Sequence, residues 1–181
     1  MIDIHCHILW GLDDGAADMA EALEMARIAY ADGVRCIVAT PHFTNDWLNV
    51  RDVVERKVRE LQRALDEAGI AVTVRAGNEV RLESEDFVTR HAEREQFGYL
   101  DEGKRFVLLE QRWVEYEPAS SKLVKWFKGR GTTPIIAHPE RHAFSATIRR
   151  CLRRLPTSAP GRKYRSTACW AKTGKRRERS L

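Results

Sequence analysis

At 181 residues the chain is long enough for one domain of ordinary size and short for a complete (β/α)8 barrel, which takes roughly 250 residues. Apolar residues make up 43%, too many for a disordered chain, and no apolar run reaches the ~18 residues of a membrane helix. The net charge of +5 divides unevenly: residues 1–144 carry 19 Lys+Arg and 25 Asp+Glu, whereas residues 145–181 carry 12 Lys+Arg and the single acid Glu178.

The first 144 residues read as alternating strands and helices. Met1–Ile4 is a short apolar start that His5 and His7 terminate. Asp18, with Glu21 three residues on, has capping-box form and opens a helix with Ala22, Met25, Ala26, Ala29 and Tyr30 at helical spacing. Gly33 stops it, and Cys36–Ala39 follows as a buried strand. Val50–Ala68 is a second amphipathic helix with Val54, Val58, Leu61 and Leu65 on one face. Next come strand Val72–Ala76, helix Ser84–Arg94, strand Phe106–Leu109, helix Ser120–Lys128 and strand Pro134–Ala137. Five strand–helix units joined by short connections predict a parallel sheet or barrel with helices outside.

Such folds place their sites at the carboxyl ends of the strands. There the sequence puts His5 and His7 after strand one, Asp13 and Asp14 in the next loop, and His42 after strand two. Glu79 follows strand three, Glu110 strand four and His138 strand five. Residues i and i+2 of a strand point the same way, so the imidazoles of His5 and His7 can face one metal. A single histidine or carboxylate after a strand is ordinarily a solvated side chain or a cap. A potential hard-metal ligand after every strand points instead to a multinuclear site for Mn, Fe or Zn. His91 and His142 read as surface residues.

Four cysteines, Cys6, Cys36, Cys151 and Cys169, have no zinc-type CxxC pair and suggest reduced thiols. None opens a C-x5-R phosphate loop, since Leu12, His42, Thr157 and Lys175 occupy the sixth position after each. The N-terminus has no basic region of a secretory signal, and a soluble cytoplasmic protein is expected.

The opening from Met1 to Gly15, MIDIHCHILWGLDDG, resembles the first motif of the polymerase-and-histidinol-phosphatase (PHP) superfamily, in particular its capsule-type, manganese-dependent bacterial protein-tyrosine phosphatases of the CpsB kind. Ala39–His42, Gly77–Glu79, Leu108–Glu110 and His138–Arg141 resemble its later motifs, in order. The likeness covers about residues 1–144. It implies an α/β fold, an incomplete distorted (β/α)7-type PHP barrel over 1–144, with a basic irregular tail over 145–181. It implies up to three metal ions, manganese foremost with Fe or Zn possible. His5 and His7 would hold one metal, Glu79 would bridge to a second completed by Glu110 and His138, and Asp14 with His42 would hold the third. Arg141 resembles the family's phosphate-binding arginine, whose planar fork suits phosphate oxygens. The implied chemistry is hydrolysis of phosphotyrosine, on a protein partner such as a bacterial tyrosine kinase controlling exopolysaccharide export, by water whose pKa the metals lower.

The family's late Asp-x-His motif is absent, and no histidine follows His142. Codons for Ser166–Arg179, re-read in another frame, permit a segment resembling the family's next strand and loop. We therefore expect a frameshift near Phe144–Ser145, weak metal retention, poor solubility and little phosphatase activity. Two alternatives are another PHP enzyme acting on a small phosphomonoester such as histidinol phosphate, and a non-catalytic nucleic-acid binder using the basic tail. The second leaves the rim of ligands without a purpose.

Overall fold

The computed structural model describes residues 1–111 and 120–141. In chain order these form β1 (Ile2–Cys6), α1 (Met19–Ala31), β2 (Cys36–Ala39), β3 (His42–Phe43), α2 (Arg51–Glu67), β4 (Thr73–Ala76) and β5 (Glu79–Arg81), followed by α3 (Glu85–Glu93), β6 (Phe106–Glu110), α4 (Ser120–Gly129), β7 (Thr133–Ile136) and a 3-10 turn at Pro139–Arg141. The basic tail and His142 lie outside the described residues, as do Cys151 and Cys169.

Every expected helix forms. Asp18 caps α1, its carboxylate accepting from the Glu21 amide at 2.8 Å. The reciprocal bond of the expected capping box is displaced by one residue, because Glu21 accepts from the Ala17 amide. On α2 the buried residues are Val54, Val58, Leu61 and Leu65, each contributing about 1.5–3 kcal/mol when removed from water. Ser84 caps α3 by accepting from the Phe87 amide.

The strands differ from expectation. Seven are present among the described residues, all parallel, in two sheets of order β1-β2-β4 and β3-β5-β6-β7. His42 and Glu79, expected to end strands two and three, begin short strands of the second sheet. The chain crosses between sheets at two two-residue breaks, Thr40-Pro41 and Gly77-Asn78. Pro41 has no N–H to continue a ladder. At Gly77 a β-carbon would lie 2.8 Å from Val38 Cγ1 and 3.3 Å from the Tyr99 carbonyl, so only glycine permits this approach. Asn78 is fully buried and ties the crossing together. Its amide donates to the carbonyls of Pro41 and Asn49, and its oxygen accepts from the Gly98 amide at 2.7 Å.

Helices α1 and α2 cover the first sheet, with Ala22, Met25, Leu61 and Leu65 against Ile37 and Val74. Helices α3 and α4 cover the second, with Phe87, Val88, Leu123 and Phe127 against Val80, Val107 and Leu109. A third apolar cluster, Val38, Leu100, Leu108 and Ala137 with Ile4 and Ile135, draws on strands of both sheets and joins their inner faces. His91, read from sequence as a surface residue, is half-buried. Its ring lies 4.3 Å from that of Phe87 and 5.2 Å from that of Phe43, and its Nδ1 lies 2.6 Å from the Phe87 carbonyl oxygen.

Replacing Asn78 by alanine strands two buried carbonyls and one buried amide. The variant is expected to lose about 2–4 kcal/mol of stability, seen as a lower urea midpoint, and an unchanged midpoint would contradict this account of the crossing.

Candidate metal centre

The second crossing delivers Glu79 to the middle of the rim. It is 0% exposed, and in the sheet it stands directly beside His42 of β3 on one side and Leu108 of β6 on the other. Around its carboxylate lie His5 Nε2 at 3.2 Å, His7 Nε2 at 3.1 Å, His42 Nδ1 at 3.2 Å and His138 Nε2 at 3.7 Å. Four imidazoles, two from the first strand and its continuation and two from distant segments, thus converge on one buried carboxylate. Glu110 joins from the end of β6, its Oε2 3.6 Å from His42 Nδ1. Asp14, 68% exposed, reaches within 3.5 Å of His42 Nε2 and 3.8 Å of His7 Nδ1.

Three triads bring one ligand atom from each member to within 4.8 Å of one another: His5, His7 and Glu79; His7, Asp14 and His42; and His42, Glu79 and Glu110. The first matches the grouping drawn from the resemblance. In the others His7 also joins Asp14 and His42, and His42 also joins the two glutamates, so donors are shared more widely than one residue per ion. His138 sits beside Glu79 with its ring 4.6 Å from that of His5. Its φ of +45° is a left-handed conformation that costs energy in a non-glycine residue and is often found at functional positions. Arg141 lies exposed one short turn further on, its amide donating to the His138 carbonyl.

These residues fit metal ions on two counts. The donor set is imidazole nitrogen and carboxylate oxygen, suited to Mn, Fe or Zn. Two buried atoms within it, His42 Nδ1 and Glu79 Oε1, lack a partner at hydrogen-bonding geometry, which a bound cation would satisfy.

The electrostatics are strongly coupled. Burial pushes the Glu79 carboxyl up, but hydrogen bonds from His5 and His7 outweigh it and hold the group well below the usual carboxylate range. Burial likewise opposes protonation of His7, yet its bonds to Asp13 and Glu79 prevail and raise it to about 10. His42 is lowered, by burial first and by the neighbouring His7 charge second. Asp13 is held low: burial raises it, and the bonds from His7 and from the amides of His42 and Gly15 overcome that.

Three supporting residues have no role that the sequence alone assigns. Asp13 accepts from His7 Nδ1 and from the His42 amide, both at 2.8 Å, fixing one ligand's ring and another's backbone. Arg81 Nε donates to Glu110 Oε2 at 2.8 Å. Trp47 stacks on His42. The doubled aspartate after HxH is the available sign for Asp13. Arg81 stands two residues after Glu79 but reaches Glu110 only through the β5–β6 register, which pairs them.

The parallel α/β fold thus gathers candidate metal-binding groups around the ends of β1, β6 and β7 and the starts of β3 and β5. The family model for capsular polysaccharide synthesis, CpsB/CapC, matches residues 1–154, and the chain belongs to that family. It is 37% identical over 143 residues to the tyrosine-protein phosphatase YwqE of Bacillus subtilis, covering 78% of this chain and 55% of the relative. Against the tyrosine-protein phosphatase CpsB of Streptococcus pneumoniae it is 30% identical over 155 residues, 78% of this chain and 58% of the relative. A chain from the crystal structures of YwqE from Bacillus subtilis and CpsB from Streptococcus pneumoniae, unique metal-dependent tyrosine phosphatases, superposes with a TM-score of 0.75 at 36% identity, over 83% of this chain and 59% of that one. This chain therefore spans somewhat more than half the length of the relatives it matches. Among the described residues no helix is long and apolar enough to cross a membrane.

Two outcomes follow from the geometry. Asp13→Asn is expected to weaken Mn2+ binding about 10- to 100-fold by loosening His7, as read by calorimetry; an unchanged affinity would remove Asp13 from the centre. His7, raised to about 10, is protonated at neutral pH without metal and must release that proton to bind. In the metal-free protein its charge stabilises the fold fully below the unfolded value of 6.5, and that contribution fades as pH rises through about 10. Metal affinity moves the other way, strengthening between about pH 6 and 8 with proton release visible in buffers of different ionisation enthalpy. A flat pH profile would contradict the pairing.

Proposed function

We propose that this chain carries the metal-binding portion of a metal-dependent phosphoester hydrolase acting on phosphotyrosine in proteins. The observation that supports this most directly is the buried Glu79 carboxylate ringed by four histidines, in a chain whose relatives are named tyrosine-protein phosphatases. His5, His7 and Glu79 would hold one ion, Glu79 with Glu110 and His138 a second, and Asp14 with His42 a third. Manganese is the favoured occupant, with iron or zinc compatible with the same donors. Bound there, the metals would lower the pKa of water for attack on phosphorus and neutralise charge on the phosphoryl oxygens.

The protein's own groups supply the rest. Asp13 keeps the His7 ring in one orientation and tautomer. Arg81 holds the Glu110 carboxylate so that one oxygen is committed to the guanidinium. Arg141, exposed a short turn after His138, would be the phosphate-binding arginine that the resemblance implies. We take the two parallel sheets as an arc of the family's distorted (β/α)7-type barrel. The inner cluster shared by β1, β2, β6 and β7 is consistent with that curvature. A cytoplasmic tyrosine kinase of the capsule or exopolysaccharide machinery fits as the phosphoprotein partner, given the family's role in capsular polysaccharide synthesis.

The relatives extend well beyond the matched region, and the Asp-x-His expected of the family has no counterpart in this sequence. We attribute this to a shifted reading frame beyond about residue 144. The chain is accordingly expected to release phosphate from phosphotyrosine peptide with Mn2+ only slowly. The same chain with the alternate frame restored should recover rate by about two orders of magnitude or more. An ordinary enzymatic rate from the unaltered chain would overturn the expected impairment. A restored chain that prefers small phosphomonoesters such as histidinol phosphate would overturn the protein-tyrosine assignment.

A further inference from the structure

The loop between β3 and α2 presents an indole at the edge of the metal-ligand rim. Trp47 stacks on His42 with ring centroids 5.3 Å apart and planes 9° apart. It is 36% exposed and its neighbour Leu48 is 50% exposed, so a patch of apolar surface stands one ring's thickness from the donor cluster. The loop that carries it is fixed. Thr44 Oγ1 accepts from the amides of Asp46 at 3.1 Å and Trp47 at 2.9 Å, and the Thr44 amide donates to the Trp47 carbonyl. Leu48 bridges back to Phe43. The Asn49 side chain donates to the carbonyls of Leu12 and His42, joining this loop to the segment that bears Asp13 and Asp14.

An indole that is a third exposed at the edge of a polar centre leaves part of its apolar ring free to meet a ligand ring. Resting on the phosphatase reading above, we infer that Trp47, with Leu48 beside it, is the platform that receives the phenyl ring of a phosphotyrosine leaving group. An aryl phosphate carries a π face directly beyond the ester oxygen, whereas serine, threonine and sugar phosphates carry none. Trp47 touches no reacting atom in this role. It selects the substrate by binding the ring while the rim binds the phosphoryl group.

The test compares phenylphosphonate with methylphosphonate, neither of which can be hydrolysed, binding by calorimetry to the full chain in excess Mn2+. Phenylphosphonate is expected to bind about five-fold tighter or more. Trp47→Ala should abolish that preference while methylphosphonate still binds in saturating Mn2+, and Trp47→Phe should retain most of the preference. Equal binding of both phosphonates by the unaltered chain would overturn the inference while leaving the phosphatase reading intact. Parallel loss of Mn2+ and both phosphonates in Trp47→Ala would overturn it too, reducing Trp47 to a shield for His42. Failure of both phosphonates to bind in saturating Mn2+ would overturn this inference.

Discussion

The structure depends on placing one carboxylate, Glu79, where water cannot reach it and four imidazoles can. A buried charge is tolerated only when paired and hydrogen-bonded. The surrounding architecture meets that condition: β1 supplies His5, the segment after it His7, β3 His42, and the turn after β7 His138. These residues span most of the described chain, so the cluster exists only once both sheets are in place. His5 belongs to the first sheet and His138 follows the last strand of the second, and the apolar cluster shared by the two sheets is what brings residues so far apart in sequence side by side.

The compactness of this arrangement comes from the breaks between the sheets. A strand running straight through Gly77 and Asn78 would carry Glu79 on along the first sheet, away from the rim. Close approach at Gly77 and the three hydrogen bonds of Asn78 turn the chain sharply instead, and the turn is stiff because its polar atoms are satisfied internally. The same Asn78 holds the carbonyls of Pro41 and Asn49, so the two crossings, one leading to His42 and the other to Glu79, are fastened to each other. The relative position of those two donors is thereby set by backbone and amide contacts, before any ion adds its own attraction.

Much of this is legible in the sequence, for identifiable reasons. Helices declare themselves through apolar spacing, and Val54, Val58, Leu61 and Leu65 are all buried as their period requires. The candidate donors are legible because a polar residue after each expected strand is a local pattern needing no knowledge of the third dimension. The division into two sheets is not. Two- and three-residue strands such as His42–Phe43 and Glu79–Arg81 carry no periodicity to detect. His91 misleads for a related cause: a polar ring in a polar stretch looks solvated until Phe43 and Phe87 are brought against it. Asp13 and Arg81 act through contacts across 29 residues each, to His42 and Glu110, and no local spacing encodes such pairings.

The charge arrangement accounts for how several acidic groups can lie close together at this rim. Asp13 and Glu79 are drawn to a protonated His7, and Glu110 to Arg81, so the acidic groups that would otherwise repel one another are each compensated by a cation of the chain. The compensation is unequal. Arg81 stays charged under all ordinary conditions, and Glu110 keeps this partner whether or not an ion is present. His7 can give up its proton, so the contact between His7 and Glu79 is exchangeable in a way the contact between Arg81 and Glu110 is not. Loss of the His7 proton would free its Nε2 to face a cation, whereas the Arg81 contact with Glu110 depends on no such loss. On the Glu110 side the permanent charge of Arg81 compensates the carboxylate.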